Sequence, residues 1–159
     1  MLKKNFLCVL CFILLFVCGC SKESKFGVQQ FVERMNDNFG TEYLTNEFML
    51  SERNDDNFLF TTRENNMITL LLDENNNIKG LSLLITADDD IENAKALYCQ
   101  MCSVITGNDY ESQLKIFNDS QFFSEKIKFA DSNSLITVGR YKYTIVSNDY
   151  AITFFCDKI

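Results

Sequence analysis

Short polar links between strand-like runs set the tightest limit on how this chain folds. Three such links, each of three or four residues that are mostly Asn, Asp and Glu, occur at 54–57, 64–66 and 74–77. A crossover between parallel strands needs about a dozen residues or more, so neighbours joined by these links are antiparallel. The pattern predicts a sheet of three or four strands, at residues 48–50, 58–62, 67–72 and 78–86.

Two amphipathic helices interrupt this strand pattern. In the first, apolar residues recur at helical spacing over residues 28–39, and Gly40 follows as a stop signal. The second carries a longer apolar stripe over residues 91–105 and ends at Gly107. Because each stripe covers one side of its helix, we expect both helices to lie on an apolar surface.

Acidic and amide residues mark where the later helices begin. Asp89 stands three residues before Glu92, which is the spacing of a capping box, so we expect the second helix to start there. Asn108 and Glu111 have the same spacing. They predict a shorter third helix over residues 109–117.

The second half of the chain returns to strands. These are predicted at 126–130, at 135–138, and as a hairpin of 141–146 against 150–156. The order helix, strands, helix, strands lacks the alternation that produces a parallel sheet, so the fold class is α+β: one or more antiparallel sheets with the two main helices packed on one face. The expected core consists of Phe31, Met35, Leu70, Leu72, Leu83, Ile85, Tyr98, Ile105, Ile145, Ile152 and Phe154.

The first 20 residues differ in composition from the rest of the chain. Lys3 and Lys4 precede an apolar run over residues 6–17, and small residues follow it, which is the layout of a secretory signal. A transmembrane helix needs about 20 apolar residues, and this run is shorter. The segment therefore predicts export of the chain.

The residues at the end of this segment narrow the kind of export. The order Val17-Cys18-Gly19-Cys20 resembles the lipobox of bacterial lipoproteins, in which an aliphatic and two small residues precede a required cysteine. The resemblance implies that the Cys20 thiol receives a diacylglycerol and that cleavage after Gly19 removes residues 1–19. Val17 and Cys18 replace the family's commonest residues, leucine and then alanine or serine, with side chains of tolerated size.

Lipidation of Cys20 would anchor the mature chain to a membrane. Each buried CH₂ contributes about 0.8 kcal/mol, so one acyl chain binds marginally whereas two hold stably. Residues 20–25 then form a short polar tether, and residues 26–159 form a single domain. The expected location is the extracytoplasmic face of the cell membrane, or the outer membrane in a host that has two.

The charge of the mature chain bears on its partners. Residues 1–19 contain two of the 15 Lys and Arg and none of the 22 Asp and Glu, which leaves 13 basic against 22 acidic residues and a net charge of −9. An acidic domain repels phosphate backbones and anionic headgroups. Nucleic acid is therefore not expected as a partner, and membrane contact is expected through the lipid on Cys20.

The absence of histidine excludes several catalytic chemistries. Ser-His-Asp and Cys-His hydrolases lack their general base here, and metal sites lose their commonest ligand. Residues 73–77 alternate oxygen donors like the start of a calcium loop, but Ile78 stands where that loop needs glycine and Leu84 where it needs a bidentate glutamate. A hairpin turn is the favoured interpretation, and no metal or cofactor site is predicted.

Three cysteines remain in the domain. Cys99 and Cys102 have the spacing of a redox pair, but they fall in the middle of a predicted helix, whereas a thioredoxin-type site needs a helix N-terminus to lower the thiol pKa. Buried free thiols are the favoured interpretation. A disulfide from Cys156 to either helix cysteine remains open at this stage.

These observations favour a non-catalytic binding or protein-interaction module of the cell envelope, with an envelope protein or a small ligand as partner. The alternatives are a wall-active hydrolase that uses Asp and Glu carboxylates and, below it, a redox lipoprotein that uses Cys99 and Cys102. Five aromatic residues are candidates for a contact surface, although core packing is favoured for most of them. They are Phe122, Phe123, Tyr141, Tyr143 and Tyr150.

Overall fold

The structure is a computed structural model in which five stretches of the chain are described: residues 26–39, 49–54, 57–61, 66–123 and 127–159. The predicted signal segment 1–19, the tether 20–25 and the lipid-attachment residue Cys20 lie outside these stretches, as does Gly40. The predictions for them therefore stay predictions.

The described residues form an α+β fold in the predicted order of helix, strands, helices, strands. The seven strands make one antiparallel sheet in the spatial order β1-β2-β3-β4-β7-β6-β5. The helices are α1 (Val28–Phe39), α2 (Ile91–Thr106) and α3 (Tyr110–Asp119). The strands are β1 (Met49–Asn54), β2 (Asn57–Thr61), β3 (Met67–Leu72), β4 (Ile78–Thr86), β5 (Ser132–Val138), β6 (Tyr141–Ser147) and β7 (Ala151–Lys158).

The pairing of β4 with β7 joins the two halves of the chain. These strands are antiparallel and in register over seven residue pairs, from Gly80 with Asp157 to Thr86 with Ala151. Since β4 ends the first group of strands and β7 ends the second, this one ladder makes a single sheet from two groups. The sequence left open whether one sheet or two would form.

The core lies on the face of the sheet that the helices cover. Alternate residues of β3, β4, β6 and β7 point to this face and are buried, as the period of two in a strand requires. Every residue expected in the core is buried, so that prediction is confirmed. Each such side chain contributes about 1.5–3 kcal/mol relative to an exposed position.

Tyr98 fastens α2 to the centre of the sheet. Its side chain is fully buried, and its hydroxyl donates a hydrogen bond to the backbone carbonyl of Phe155 in β7. Its ring stacks on Phe117 of α3, with centroids 5.7 Å apart, and packs against Phe154 at 5.2 Å. Tyr98 therefore contacts both α3 and the sheet, and its buried hydroxyl has a hydrogen-bond partner.

Both predicted helix caps were wrong by one residue. The residue that caps α2 is Asp90, whose Oδ1 accepts hydrogen bonds from the backbone N–H of Glu92 at 2.9 Å and of Asn93 at 3.3 Å. Asp89 instead accepts from the hydroxyl of Thr86 at 3.0 Å, which closes the turn after β4. The end of α2 at Gly107 is confirmed, with a φ of 77° that suits glycine.

The cap of α3 is shifted in the same way. Asp109 and not Asn108 accepts from the backbone N–H of Ser112, at 2.8 Å, and α3 begins at Tyr110. Asn108 donates its side-chain amide to Oε1 of Gln113 instead. In both helices several adjacent residues have capping side chains, so the spacing to a later Glu did not identify the residue that caps.

Polar strands were missed or misplaced. Residues 128–131, which overlap the predicted strand 126–130, form bends, and β5 begins at Ser132, three residues before the predicted start. The hydroxyl of Ser147 donates to the carbonyl of Ala130 at 2.8 Å, which ties the bend to β6. Residues 132–134 have low strand propensity but pair with β6 because tertiary context overrides it.

The Asp90 cap gives a direct test of this local structure. We expect Asp90→Ala to lower the free energy of unfolding by about 1 kcal/mol, because two backbone N–H groups lose their acceptor. Chemical denaturation followed by circular dichroism measures it. The matched control Asp88→Ala, at an exposed position in the same acidic run, should cost less than about 0.5 kcal/mol. Equal losses in the two variants would contradict the assignment.

Candidate functional site

Two open grooves meet at the C-terminal end of α2. The first groove, with a volume of about 390 Å³, lies between α1, the turn from β3 to β4, and the end of α2. The second groove, of about 440 Å³, lies between the end of α2, α3 and the turn from β5 to β6. Thr106, Tyr141 and Lys158 line both grooves, so they form the wall between them.

Cationic side chains are concentrated in these grooves. Of the eight Lys and Arg side chains that the structure describes, four line a groove: Arg34, Lys79, Arg140 and Lys158. Asp73 is the only acidic residue among the described linings. The end of α2 therefore carries a local positive charge on a domain whose overall charge is negative.

Asp73, the single acid in the described lining of the first groove, already accepts hydrogen bonds within its own turn. Oδ1 of Asp73 accepts hydrogen bonds from the backbone N–H of Asn75 and of Asn77, both at 2.8 Å, and Oδ2 accepts from the amide of Asn77 at 3.0 Å. These bonds, with that from the Asn77 side chain strongest, lower the pKa of Asp73. Asn76 has a φ of 60°, so residues 73–77 form the predicted hairpin turn.

Asn77 also presents an acceptor at the groove wall. Its Oδ1 is buried and has no hydrogen-bond partner in the described residues, although the amide nitrogen of the same side chain is bonded to Asp73. A buried polar atom without a partner costs about 1–3 kcal/mol.

Tyr141 lines the first groove and is fixed in place by a hydrogen bond to α2. Its hydroxyl donates to the carbonyl of Ile105 in the last turn of α2, at 3.1 Å, and burial raises the pKa of Tyr141, which keeps the phenol protonated. At the other side of the groove, the Arg34 guanidinium lies over the ring of Phe26, 4.8 Å from its centroid. The C-terminal end of a helix carries partial negative charge, which stabilises the surrounding cations.

The five aromatic residues proposed for a contact surface differ in how deeply they are buried. Phe122 and Tyr143 are fully buried and Phe123 packs partly against the core, which confirms core packing for most of the set. Tyr141 and Tyr143 also reach the second groove. Tyr150 is 81% exposed at the turn before β7.

All three domain cysteines are buried free thiols, so the favoured interpretation is confirmed and the disulfide is not formed. Burial, and next the charge of Glu111, raises the pKa of Cys99 to about 12, and burial also raises that of Cys102. A redox pair needs the opposite shift. Cys99 is more deeply buried than its place on the flank of the helix suggested, because α3 covers it: its Sγ lies 3.9 Å from the carbonyl of Tyr110.

The groove cations were not identified from the sequence. They occur singly at positions 34, 79, 140 and 158, on α1, β4, the turn after β5 and the end of β7, without any motif that links them. The β4–β7 and β6–β7 pairings and the packing of α1 bring these elements to one end of the molecule.

None of the helices in the described stretches is long and apolar enough to cross a bilayer. The same stretches hold no group of three His, Cys, Asp or Glu side chains that would suit a metal ion. No protein-family model matches the chain, and no curated protein or solved structure shows significant similarity to it.

The burial of the thiols predicts their reactivity. In the folded protein we expect Cys99, Cys102 and Cys156 to react with Ellman's reagent about a hundredfold or more slowly than an exposed thiol, because reaction requires local opening. All three should react once the protein is denatured. The matched control is Asn118→Cys, at an exposed position on α3, which should add one fast thiol. Fast reaction of Cys99 or Cys102 in the native protein would revive the redox interpretation.

Proposed function

We propose that this protein is a lipid-anchored, extracytoplasmic lipoprotein whose domain is a non-catalytic binding module, and that it binds an anionic group of its ligand or partner in the first groove. The observation that carries the binding proposal is the convergence of Arg34, Lys79 and Lys158 on one groove of an acidic domain. The anchor is proposed from the lipobox-like order that ends at Cys20.

Three cations line the first groove, but only one acid among the described residues does so. Asp73 receives three hydrogen bonds within its turn, so its carboxylate is already satisfied. Arg34 and Lys79 are exposed and form no salt bridge with any described residue. By contrast, Lys95 and Lys115 pair at 2.6 Å with acids on their own helices.

The chemistry of the lining indicates the kind of group that fits. Arginine and lysine form charge-assisted hydrogen bonds with carboxylate or phosphate oxygens, and arginine can do so with two parallel bonds. The buried Oδ1 of Asn77 is closed to a ligand, so the cations alone carry the preference for an anionic group.

The first groove supports binding better than hydrolysis. A carboxyl group that acts as a general acid in glycoside cleavage needs a raised pKa. The pKa of Asp73 is lowered by the hydrogen bonds of its turn, and that of Asp109 is lowered by its bonds to Ser112 at the α3 cap. Both acids therefore have structural roles.

The anchor is tested by mass spectrometry of the chain expressed in a bacterium that processes lipoproteins. We expect the wild-type product to begin at residue 20 and to carry the mass of a diacylglyceryl group on it. Cys20→Ser should lose both the acyl mass and the cleavage after Gly19, because its hydroxyl is not the thiol that accepts the lipid. The matched control Cys18→Ser should retain both. An unmodified Cys20 in the wild-type product would contradict the anchor.

Anion binding is tested by thermal unfolding of the detergent-purified mature lipoprotein at constant ionic strength. Inorganic phosphate and acetate are the probes. A ligand that binds only the folded state stabilises it, by about 2.7 kcal/mol at a hundred times its Kd, so the midpoint should rise with at least one probe. The double variant Arg34→Gln/Lys79→Gln should lose this rise.

The control for this experiment is Lys115→Gln/Lys128→Gln, which removes the same charge away from both grooves. It should keep the full rise in the midpoint. If neither anion stabilises the wild-type protein, or if both double variants respond alike, the first groove is not an anion site.

A further inference from the structure

The two edges of the sheet differ in how they are protected. Proteins blunt exposed edge strands with charges, prolines or bulges, since an open edge can pair with another strand. The β1 edge has two of these devices: a register shift between Leu50 and Glu52, and the charged residues Glu52 and Arg53 in its sequence. The β5 edge has none of them.

The β5 edge is long, regular and uncharged. Its sequence from Ser132 to Val138 contains no charged residue and no proline, and it pairs with β6 at seven consecutive positions without a register shift. Within the part of the chain that the structure describes, β6 is its only neighbour in the sheet. Its outer side is therefore a continuous template for one more strand.

The turn after β5 determines which backbone groups face outward. Val138 pairs with Tyr141, so the turn has two central residues, Gly139 and Arg140, and the φ of 60° at Gly139 fits a type II′ turn. The pair that closes such a turn is hydrogen-bonded, and hydrogen-bonded pairs alternate along an antiparallel ladder. Residues 133, 135 and 137 consequently direct their N–H and C=O groups away from β6.

From this geometry we propose that β5 pairs antiparallel with β5 of a second copy of this chain, around a two-fold axis at Leu135. In this register Leu135 faces its own equivalent, and Asn133 faces Thr137 of the second copy. The outward groups of residues 133, 135 and 137 then form about six hydrogen bonds. The two seven-stranded sheets become one continuous sheet.

The charges at the ends of β5 favour a second copy as the occupant. The strand is preceded by Asp131 and followed, after Gly139, by Arg140, and both side chains are exposed and without a salt bridge to any described residue. The two-fold pairing places Asp131 opposite the second copy's Gly139 and next to its Arg140. This contact occurs twice, once at each end, and offsets part of the repulsion between two acidic domains.

The apolar side chains on the same face fit this pairing. Leu135 is 57% exposed in the single chain, and Val146, which lies on the neighbouring strand and on the same face of the sheet, is 45% exposed. The two copies of Leu135 would bury each other at the axis. The cations of the first groove do not take part, since Arg34, Lys79 and Lys158 lie on α1, β4 and β7, none of which is β5 or its neighbour β6, so this pairing stands independently of anion binding.

Cysteine crosslinking of the full-length chain in membranes tests the pairing and its register. A hydrogen-bonded antiparallel pair has Cα atoms about 5.5 Å apart, which is within the range of a disulfide. After mild oxidation, Leu135→Cys should give a homodimer at twice the monomer mass on non-reducing gels. Asn133→Cys, which is also at an exposed position, should give none above the wild-type background, because its equivalent lies about 14 Å away along the strands.

A second pair of variants separates specific pairing from random collision. Asn133→Cys/Thr137→Cys should restore the dimer, since these positions face each other in the proposed register. Adding Leu135→Pro to that double variant should abolish the dimer, because proline lacks the outward N–H that would bond to the second copy. The fold is expected to survive, since β6 does not bond to that N–H. If Cys99 and Cys102 stay unreactive toward Ellman's reagent, the variant is folded. Leu135→Lys, which brings two like charges together, serves if the proline variant does not fold.

The results that would overturn the pairing are specific. One is no homodimer from Leu135→Cys. Another is an equal yield from Leu135→Cys and Asn133→Cys, which would indicate collision without register. A third is a crosslink from Leu135→Cys to a different protein with no homodimer, which would assign the β5 edge to a strand of another partner.

Discussion

The antiparallel pairing of β4 with β7 is the interaction on which the rest of the structure depends. It joins strands that lie more than 60 residues apart in the chain, so the loss of chain entropy on forming it is recovered only when the full ladder and the core behind it assemble together. Once it forms, the core residues of the two halves become neighbours: Leu81 faces Cys156, Leu83 faces Phe154 and Ile85 faces Ile152. The first groove depends on the same pairing, because its lining comes from β4 on one side and from β6 and β7 on the other.

Helix α2 converts this sheet into a layered domain. The ring of Tyr98 is buried between α3 and the sheet, and its hydroxyl donates a hydrogen bond to the backbone of β7. Together these contacts fix the position of α2 on the sheet. Its last turn then lies at the edge of both grooves, where Tyr141 holds the carbonyl of Ile105. The thiols of Cys99 and Cys102 belong to this packed interior. Burial keeps both thiols protonated, so the two cysteines act as small apolar side chains of the core.

Charge and polarity are divided among distinct regions of the domain. Some acids satisfy turns and helix caps, as Asp73, Asp90 and Asp109 show, and these structural roles account for part of the negative charge. Four of the eight described cations line the grooves at the end of α2 instead, and the residues of β5 itself carry no charge. In the proposed lipoprotein, the first groove would bind an anionic group and the edge of β5 would pair with a second copy.

The sequence by itself determined the α+β class, the antiparallel sheet, the order of its elements and the identity of the core. These follow from local periodicity and from links too short to cross over, both of which are properties of neighbouring residues. It did not reveal β5 as a full strand, because Ser132, Asn133 and Ser134 become extended only by pairing with β6. Nor did it indicate which capping residue each helix uses, or that four isolated cations share one end of the molecule. The strand β5 and the shared location of the cations come from contacts between distant parts of the chain, which no local pattern of residues encodes. The caps are local contacts, but adjacent residues with capping side chains were equally suited to them.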